Sequence, residues 1–151
     1  MTPEIDYLDW IGRLDSAVLE VFEMMLARSC APTEKTDSVS RPISARILFS
    51  GAIDGEFVLF ASRPVAQVTA EFLLGSVSDP DDPMVEDAMG ELCNMIAGGW
   101  KSKLKTEQAA CAISPPTISI PENIETSLGA ESGFHRFYSF EGNVFGVQML
   151  L

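Results

Sequence analysis

Two stretches of this chain follow one plan. Glu20-Val21-Phe22-Glu23-Met24-Met25 lines up with Glu91-Leu92-Cys93-Asn94-Met95-Ile96. Each lies in a helical pattern, and each helix is followed by strand-like runs joined at a glycine-containing turn. The turn is Asp54-Gly55 in the first half and Glu141-Gly142-Asn143 in the second. This echo points to an internal duplication. The expected fold is of the α/β class, α+β type, with helices packed on a mostly antiparallel sheet.

Periodicity supplies the elements. Ile11, Leu14, Val18, Val21, Phe22 and Met25 recur at helical spacing and place a first helix over Glu4–Ser29. The polar stretch from Ala31 to Pro42 reads as a loop. Strands are expected over Ile43–Ser50 and Glu56–Ala61, with a tight turn at Asp54-Gly55. A second helix runs from Pro64 to Leu74, where Pro64 suits the first turn and Gly75 the stop. An acidic loop over Ser76–Pro83 follows, and Asp82 caps a third helix that reaches about Lys105. Strands are then expected over Ala109–Ser114 and Thr117–Ile120, a loop over Pro121–Ser132, and a hairpin of Phe134–Phe140 with Val144–Leu151. The apolar Val144–Leu151 run reads as a sheet edge that needs cover or a partner. With no linker in view, residues 1–151 are expected to form a single domain.

Composition narrows the function. The net charge is -12, with no basic tract, which opposes nucleic-acid backbones and anionic membranes alike. No apolar run approaches the roughly 20 residues of a membrane span. The start Met1-Thr2-Pro3-Glu4 lacks a signal-peptide profile, so a cytoplasmic location is expected. Cys30, Cys93 and Cys111 are widely spaced and odd in number, which fits free thiols rather than disulfides or zinc ligands. The lone histidine, His135, supports no Ser-His-Asp set, and no Walker-type phosphate loop occurs. Met24, Met25, Met89 and Met95 are expected in the core, and Lys101, Lys103 and Lys105 at the favourable end of the third helix's dipole.

The third helix carries the chemistry. At 100° per residue, Val85, Met89, Leu92, Ile96 and Trp100 gather on one side, which must face the core. Asp87, Glu91, Asn94 and Gly98 gather on the other. Two features sit badly with an ordinary solvated face. Asp87 and Glu91 are like charges at i,i+4, which repel across one helical turn. Gly98-Gly99 inside a helix costs about 1 kcal/mol per glycine relative to alanine. Bare backbone also lets another surface approach closely. The pattern reads as a docking face.

Asp87-Ala-Met-Gly-Glu91-Leu-Cys-Asn94-Met-Ile-Ala-Gly98 resembles the signature of the CheC/CheX/FliY family of chemotaxis phosphatases, in which an acidic residue or Ser precedes a Glu-x-x-Asn pair on a helix. Gly99-Trp100-Lys101-Ser102-Lys103-Leu104 and Ser114-Pro115-Pro116 also look like the family, where a proline follows the Asn; either Pro115 or Pro116 could be its equivalent. The first helix has Glu20-Val-Phe-Glu23, with Glu in place of the amide, and an ionised Glu cannot donate a hydrogen bond. The chain therefore looks CheX-like, with one site.

The resemblance implies a CheC-like pseudo-duplicated fold and a homodimer joined through its sheets. It also implies hydrolysis of the aspartyl phosphate on a phosphorylated CheY-type response regulator, in chemotaxis or related two-component signalling. Asn94 and Glu91 would be catalytic, Asn94 orienting a water and Glu91 pairing with the receiver's lysine. Asp87, Gly98, Pro115 and Pro116 would contact the partner. No cofactor or metal of the chain's own is implied, and Mg2+ is expected on the receiver. The alternatives are a non-catalytic receiver-binding module of the same fold, or a switch component like FliY.

Overall fold

The computed structural model describes residues 6–34, 41–75, 79, 81–105, 109–121 and 133–151. The expected helix start at Glu4, half of each of the Ala31–Pro42 and Ser76–Pro83 loops, and the Pro121–Ser132 loop after its first residue lie outside them. Three helices pack on a seven-stranded antiparallel sheet. In chain order the elements are α1 (Tyr7–Leu26), β1 (Ala31–Thr33), β2 (Ile43–Gly51), β3 (Gly55–Ala61), α2 (Arg63–Leu74), α3 (Pro83–Ser102), β4 (Cys111–Ile113), β5 (Thr117–Ser119), β6 (Gly133–Phe140) and β7 (Asn143–Leu150).

Local chemistry sets the helix ends. Asp6 caps α1 by accepting from the Asp9 amide at 3.1 Å. The helix stops at Leu26, short of the expected Ser29, because Ala27 turns into the left-handed region with φ of 52°. Ser62 caps α2 and Gly75 ends it. Asp82 caps α3, its carboxylate accepting from the Met84 amide at 2.9 Å. That helix ends at Ser102 rather than Lys105.

The sheet runs β1-β6-β7-β3-β2-β4, with β5 also pairing along β2. Exchanging β1 with β4, β2 with β6 and β3 with β7 gives the same order read backwards. The fold thus has a pseudo-twofold axis at the β3–β7 junction, as the duplication implies. The helices obey it too. Trp10, near the start of α1, meets Trp100, near the end of α3, edge-on at 5.3 Å, so the two long helices run antiparallel.

Three expectations are corrected. Val144–Leu151 is not an edge: β7 lies mid-sheet between β6 and β3. Ala31–Thr33, read as loop, is a short edge strand on β6, where Pro32 lacks an amide that an edge does not need. Asp54-Gly55 is not a two-residue turn. Gly51 makes the bend with φ of 103°, its N–H donating to Asp54 Oδ1 at 3.2 Å, and Gly55 already pairs with Phe49. Gly55 is needed for closeness instead, since a Cβ there would lie 2.4 Å from the Leu150 carbonyl oxygen. The second hairpin has a true two-residue turn, with Glu141 and Gly142 both at positive φ.

One continuous core fills the space between helices and sheet. Phe57, Leu59, Phe145, Val147 and Met149 point into it from the central strands. Asp15 of α1 locks onto the sheet there, accepting from Arg136 Nε at 3.0 Å and from the Tyr138 hydroxyl at 2.7 Å. Burial and the Asp15 carboxylate hold the Tyr138 phenol above its ordinary pKa. On the opposite face of the sheet, Val58, Phe60, Phe137 and Val144 form a second small cluster. There Phe60 lies across Gly146, its register partner. A Cβ at Gly146 would come within 2.5 Å of the Phe60 ring. Gly146→Ala is therefore expected to lower stability by about 1–3 kcal/mol, read as a shifted midpoint in urea unfolding.

Candidate functional site

α3 presents the stripe the helical wheel expects. Val85, Met89, Leu92, Ile96 and Trp100 are fully buried. Asp87 and Glu91 are exposed, and Asn94 and Gly98 are half-buried. Among the described residues, the side chains of Asp87, Glu91 and Asn94 take no hydrogen bond or ion pair. A carboxylate and an amide one turn apart are thus left uncommitted on a helix that is itself firmly held.

The inner side of that helix explains its rigidity. Trp100 Nε1 donates to the Trp10 carbonyl at 3.2 Å, and its ring leans on Phe49. The Cys93 thiol donates to the Ala45 carbonyl at 3.6 Å, and burial pushes its pKa up to about 12. Cys30, Cys93 and Cys111 are all free and buried, as expected. They are unreactive thiols with no part in the site.

The two glycines separate in role. Gly99 faces α1, where an added Cβ would touch the Ala17 methyl at 3.6 Å. Its bareness serves the crossing of α1 and α3. Gly98 is different, because a Cβ there would meet nothing within 4 Å among the described residues. Nothing in the packing of the described residues requires it to be glycine.

A third glycine, which sequence reasoning passed over, positions the proline segment. A Cβ on Gly90 would lie 3.3 Å from Pro116 Cγ and 3.6 Å from Ile118 Cδ1. Gly90 is one turn before Asn94, so the Pro116 ring lies against the helix beside the amide. Pro115 is exposed, and its carbonyl accepts from Ser114 Oγ at 3.1 Å. Ser114 Oγ also accepts from the Leu48 amide at 2.8 Å, which ties this segment to β2. Gly90 was legible only as a helix-weakening residue, because what it accommodates lies some 26 positions on, across a strand and two prolines.

The matching position on α1 is not equivalent. Glu20 pairs with Lys103 Nζ at 2.7 Å, and the Lys103 carbonyl accepts from Arg13. The Glu that lines up with Glu91 is thus already engaged by a lysine of the same chain. That supports the structural reading of Lys103. His135 is exposed and stacks edge-on with Phe137, away from the stripe.

The methionines split. Met89 is fully buried and Met95 half-buried, but Met24 and Met25 are 79% and 54% exposed. Their core assignment is overturned. Met24 and Met25 fall in the last turns of α1, beyond the face that Leu14, Val18 and Phe22 press onto the sheet.

Residues 43–138 match the model of the family described as chemotaxis phosphatase CheX. The chain belongs to the CheX family. Solved structures share the fold over almost the whole length. CheX of Vibrio vulnificus superposes with a TM-score of 0.80 at 16% identity, covering 97% of this chain and 99% of that one. The CheX–CheY–BeF3–Mg2+ complex of Borrelia burgdorferi gives 0.70 at 20% identity, covering 97% and 98%. FliY of Thermotoga maritima gives 0.64 at 16% identity, covering 99% and 92%. No curated protein is a significant match to the sequence. For this CheX-family chain, no helix among the described residues is long and apolar enough to cross a membrane.

The open surroundings of Gly98 make a sharp expectation. Gly98→Ala should raise stability by about 1 kcal/mol through helix propensity alone, measured by urea unfolding. A loss of stability would show that Gly98 is needed by the fold rather than left bare for something else.

Proposed function

We propose that this chain hydrolyses the aspartyl phosphate of a phosphorylated CheY-type response regulator, at the α3 face carrying Glu91 and Asn94. The observation that carries this is the pair itself. In a CheX-family chain, a carboxylate and an amide stand one turn apart, facing outward, with no partner among the described residues. Gln67 and Glu71 also stand one turn apart on α2 without a hydrogen bond or ion pair among the described residues, but in the reverse order and outside the Glu-x-x-Asn segment that resembles the family signature.

The chemistry follows from what each partner lacks. A receiver's acyl phosphate has its own Mg2+ and lysine to bear the charge on the transferring phosphoryl group. What remains is a water placed in line with the bond to the aspartate. The Asn94 amide can accept from a water with its oxygen and donate with its nitrogen, so one side chain can hold the nucleophile. Water oxygen bonds to phosphorus as the aspartyl oxygen leaves. The products are free aspartate and inorganic phosphate. Glu91 pairs with the receiver's lysine and sets how deep and at what angle α3 inserts. Asp87 makes a secondary contact, and bare Gly98 lets the receiver's backbone come close. Pro116, against Gly90, borders the water on the sheet side, with exposed Pro115 beside it. No step needs a nucleophile, metal or cofactor from this chain.

The same reading makes the protein a cytoplasmic, one-site phosphatase that dimerises through its sheet, working in chemotaxis or a related two-component pathway. The Glu20–Lys103 pair supports one site, because on α1 the carboxylate that lines up with Glu91 is taken by a lysine and Glu23 stands where the amide belongs.

Asn94→Ala tests the proposal directly. Receivers of the same organism would be phosphorylated and their loss of phosphate followed with each protein. The variant is expected to lose most of the acceleration, each tenfold being about 1.4 kcal/mol of transition-state stabilisation. Its melting temperature should hold, since the side chain takes no hydrogen bond among the described residues. Parent-like turnover by Asn94→Ala would refute catalysis and leave a receiver-binding module. Glu91→Ala should instead weaken binding of the phosphorylated receiver, by about 1.5–3 kcal/mol for a lost charged hydrogen bond, as titration calorimetry would report.

A further inference from the structure

The α3 stripe is too small to hold a protein partner alone. From Asp87 to Gly98 it spans about 16 Å of helix, roughly one helix diameter wide. A specific complex buries on the order of 800 Å² on each partner. A body seated on Glu91 and Asn94 must therefore spread onto a neighbouring surface, and α1 is the neighbour on the Gly99 side.

What α1 offers there is a shallow groove of about 270 Å³, lined by Glu20, Val21, Met24, Met25 and Met95. Met95 follows Asn94 in sequence and lies one turn beyond Glu91, so the groove is continuous with the reacting face. Met24 and Met25 are largely solvent-exposed, and the other apolar lining is half-buried. Exposed apolar side chains gathered in one place mark contact surfaces. Methionine suits such a surface because its unbranched thioether adapts to the shape of what covers it.

We propose that this methionine groove is a second docking surface for the receiver domain, holding it by apolar contact beside the reacting helix. The inference rests on the phosphatase reading above. It goes further by dividing the interface into a chemical part on α3 and an affinity part shared with α1. Charge and the sheet dimer argue against the other occupants. Glu20, paired with Lys103, lines the groove, Glu91 lies one turn from Met95 and the chain carries -12, so an anionic bilayer would be repelled, while the second copy of the proposed dimer meets this chain through its sheet instead. A receiver that brings a lysine to Glu91 matches that acidic border.

The test pairs Met24→Gln/Met25→Gln with a control, Leu8→Gln. Leu8 lies near the other end of α1 and is 83% exposed. Binding is measured to receiver domains of the same organism loaded with beryllofluoride and Mg2+, and turnover is measured at saturating phosphorylated receiver. The double variant should bind about tenfold more weakly while its maximal turnover and melting temperature stay at parent values. Leu8→Gln should change none of these. An unchanged Kd in the double variant overturns the groove as a docking surface and leaves the parent's phosphatase activity standing. A parent that neither binds nor dephosphorylates any receiver overturns the phosphatase reading and this inference together. Sedimentation separates the remaining case: a parent dimer that dissociates on the methionine changes, with receiver affinity intact, assigns the groove to a second copy and overturns the proposal.

Discussion

The pairing of β3 with β7 is the joint on which the molecule is built. Glu56–Ala61 and Phe145–Leu150 come from opposite halves of the sequence and meet at the middle of the sheet. Every other strand is placed by its distance from that joint, and each long helix packs on strands of the other half, α1 on β6 and α3 on β2. Two glycines make the joint possible by different means. Gly55 lets the Leu150 carbonyl come close, and Gly146 makes room for the Phe60 ring. Either side chain lengthened would push the two halves apart, and α3 would lose its fixed relation to α1.

That relation matters because the proposed chemistry asks little of the protein except position. Asn94 supplies no charge and no nucleophile. Its contribution is to hold a water where the receiver's phosphoryl group needs one, and effects of that kind fade within about an ångström of misplacement. α3 is accordingly capped at Asp82, bonded through Trp100 to α1, and flanked by Pro116 on one side and Ala17 on the other. The fold repeats itself, but the Glu-x-x-Asn pattern does not. On α1 the position of Asn94 is Glu23, and the position of Glu91 is closed by Lys103.

Much of this was legible in the residues, and the limits have physical causes. The helical wheel separated Asp87, Glu91 and Asn94 from Leu92, Ile96 and Trp100 because α3 has one strongly apolar side, and burial must follow it. The same reasoning misplaced Met24 and Met25. Periodicity tells which residues share a face, not where along that face the neighbouring element ends. The β3–β7 joint was invisible for a related reason: an apolar strand reads alike at an edge and at the centre of a sheet. Gly55 was read as a turn former because Asp-Gly so often is one. Its real role depends on a carbonyl nearly a hundred residues away. The Glu-x-x-Asn resemblance located the stripe, but the partition of Gly98, Gly99 and Gly90 among solvent, α1 and Pro116 required coordinates.

The central joint also dictates an order of assembly. Residues 43–61 can form their hairpin early, since β2 and β3 are adjacent in the chain. The inner side of β3 must then wait, its amides and carbonyls unpaired, until residues 143–150 have been synthesised and folded back. For that interval the nascent chain exposes an apolar strand edge, Phe57-Val58-Leu59-Phe60, that could pair with any other extended segment. The hairpin of β6 and β7 has a two-residue turn and can close within microseconds once made. Synthesis adds only about 5–20 residues per second, so the making of residues 62–150, and not the turn at Glu141 and Gly142, sets how long the unfinished chain remains open to aggregation.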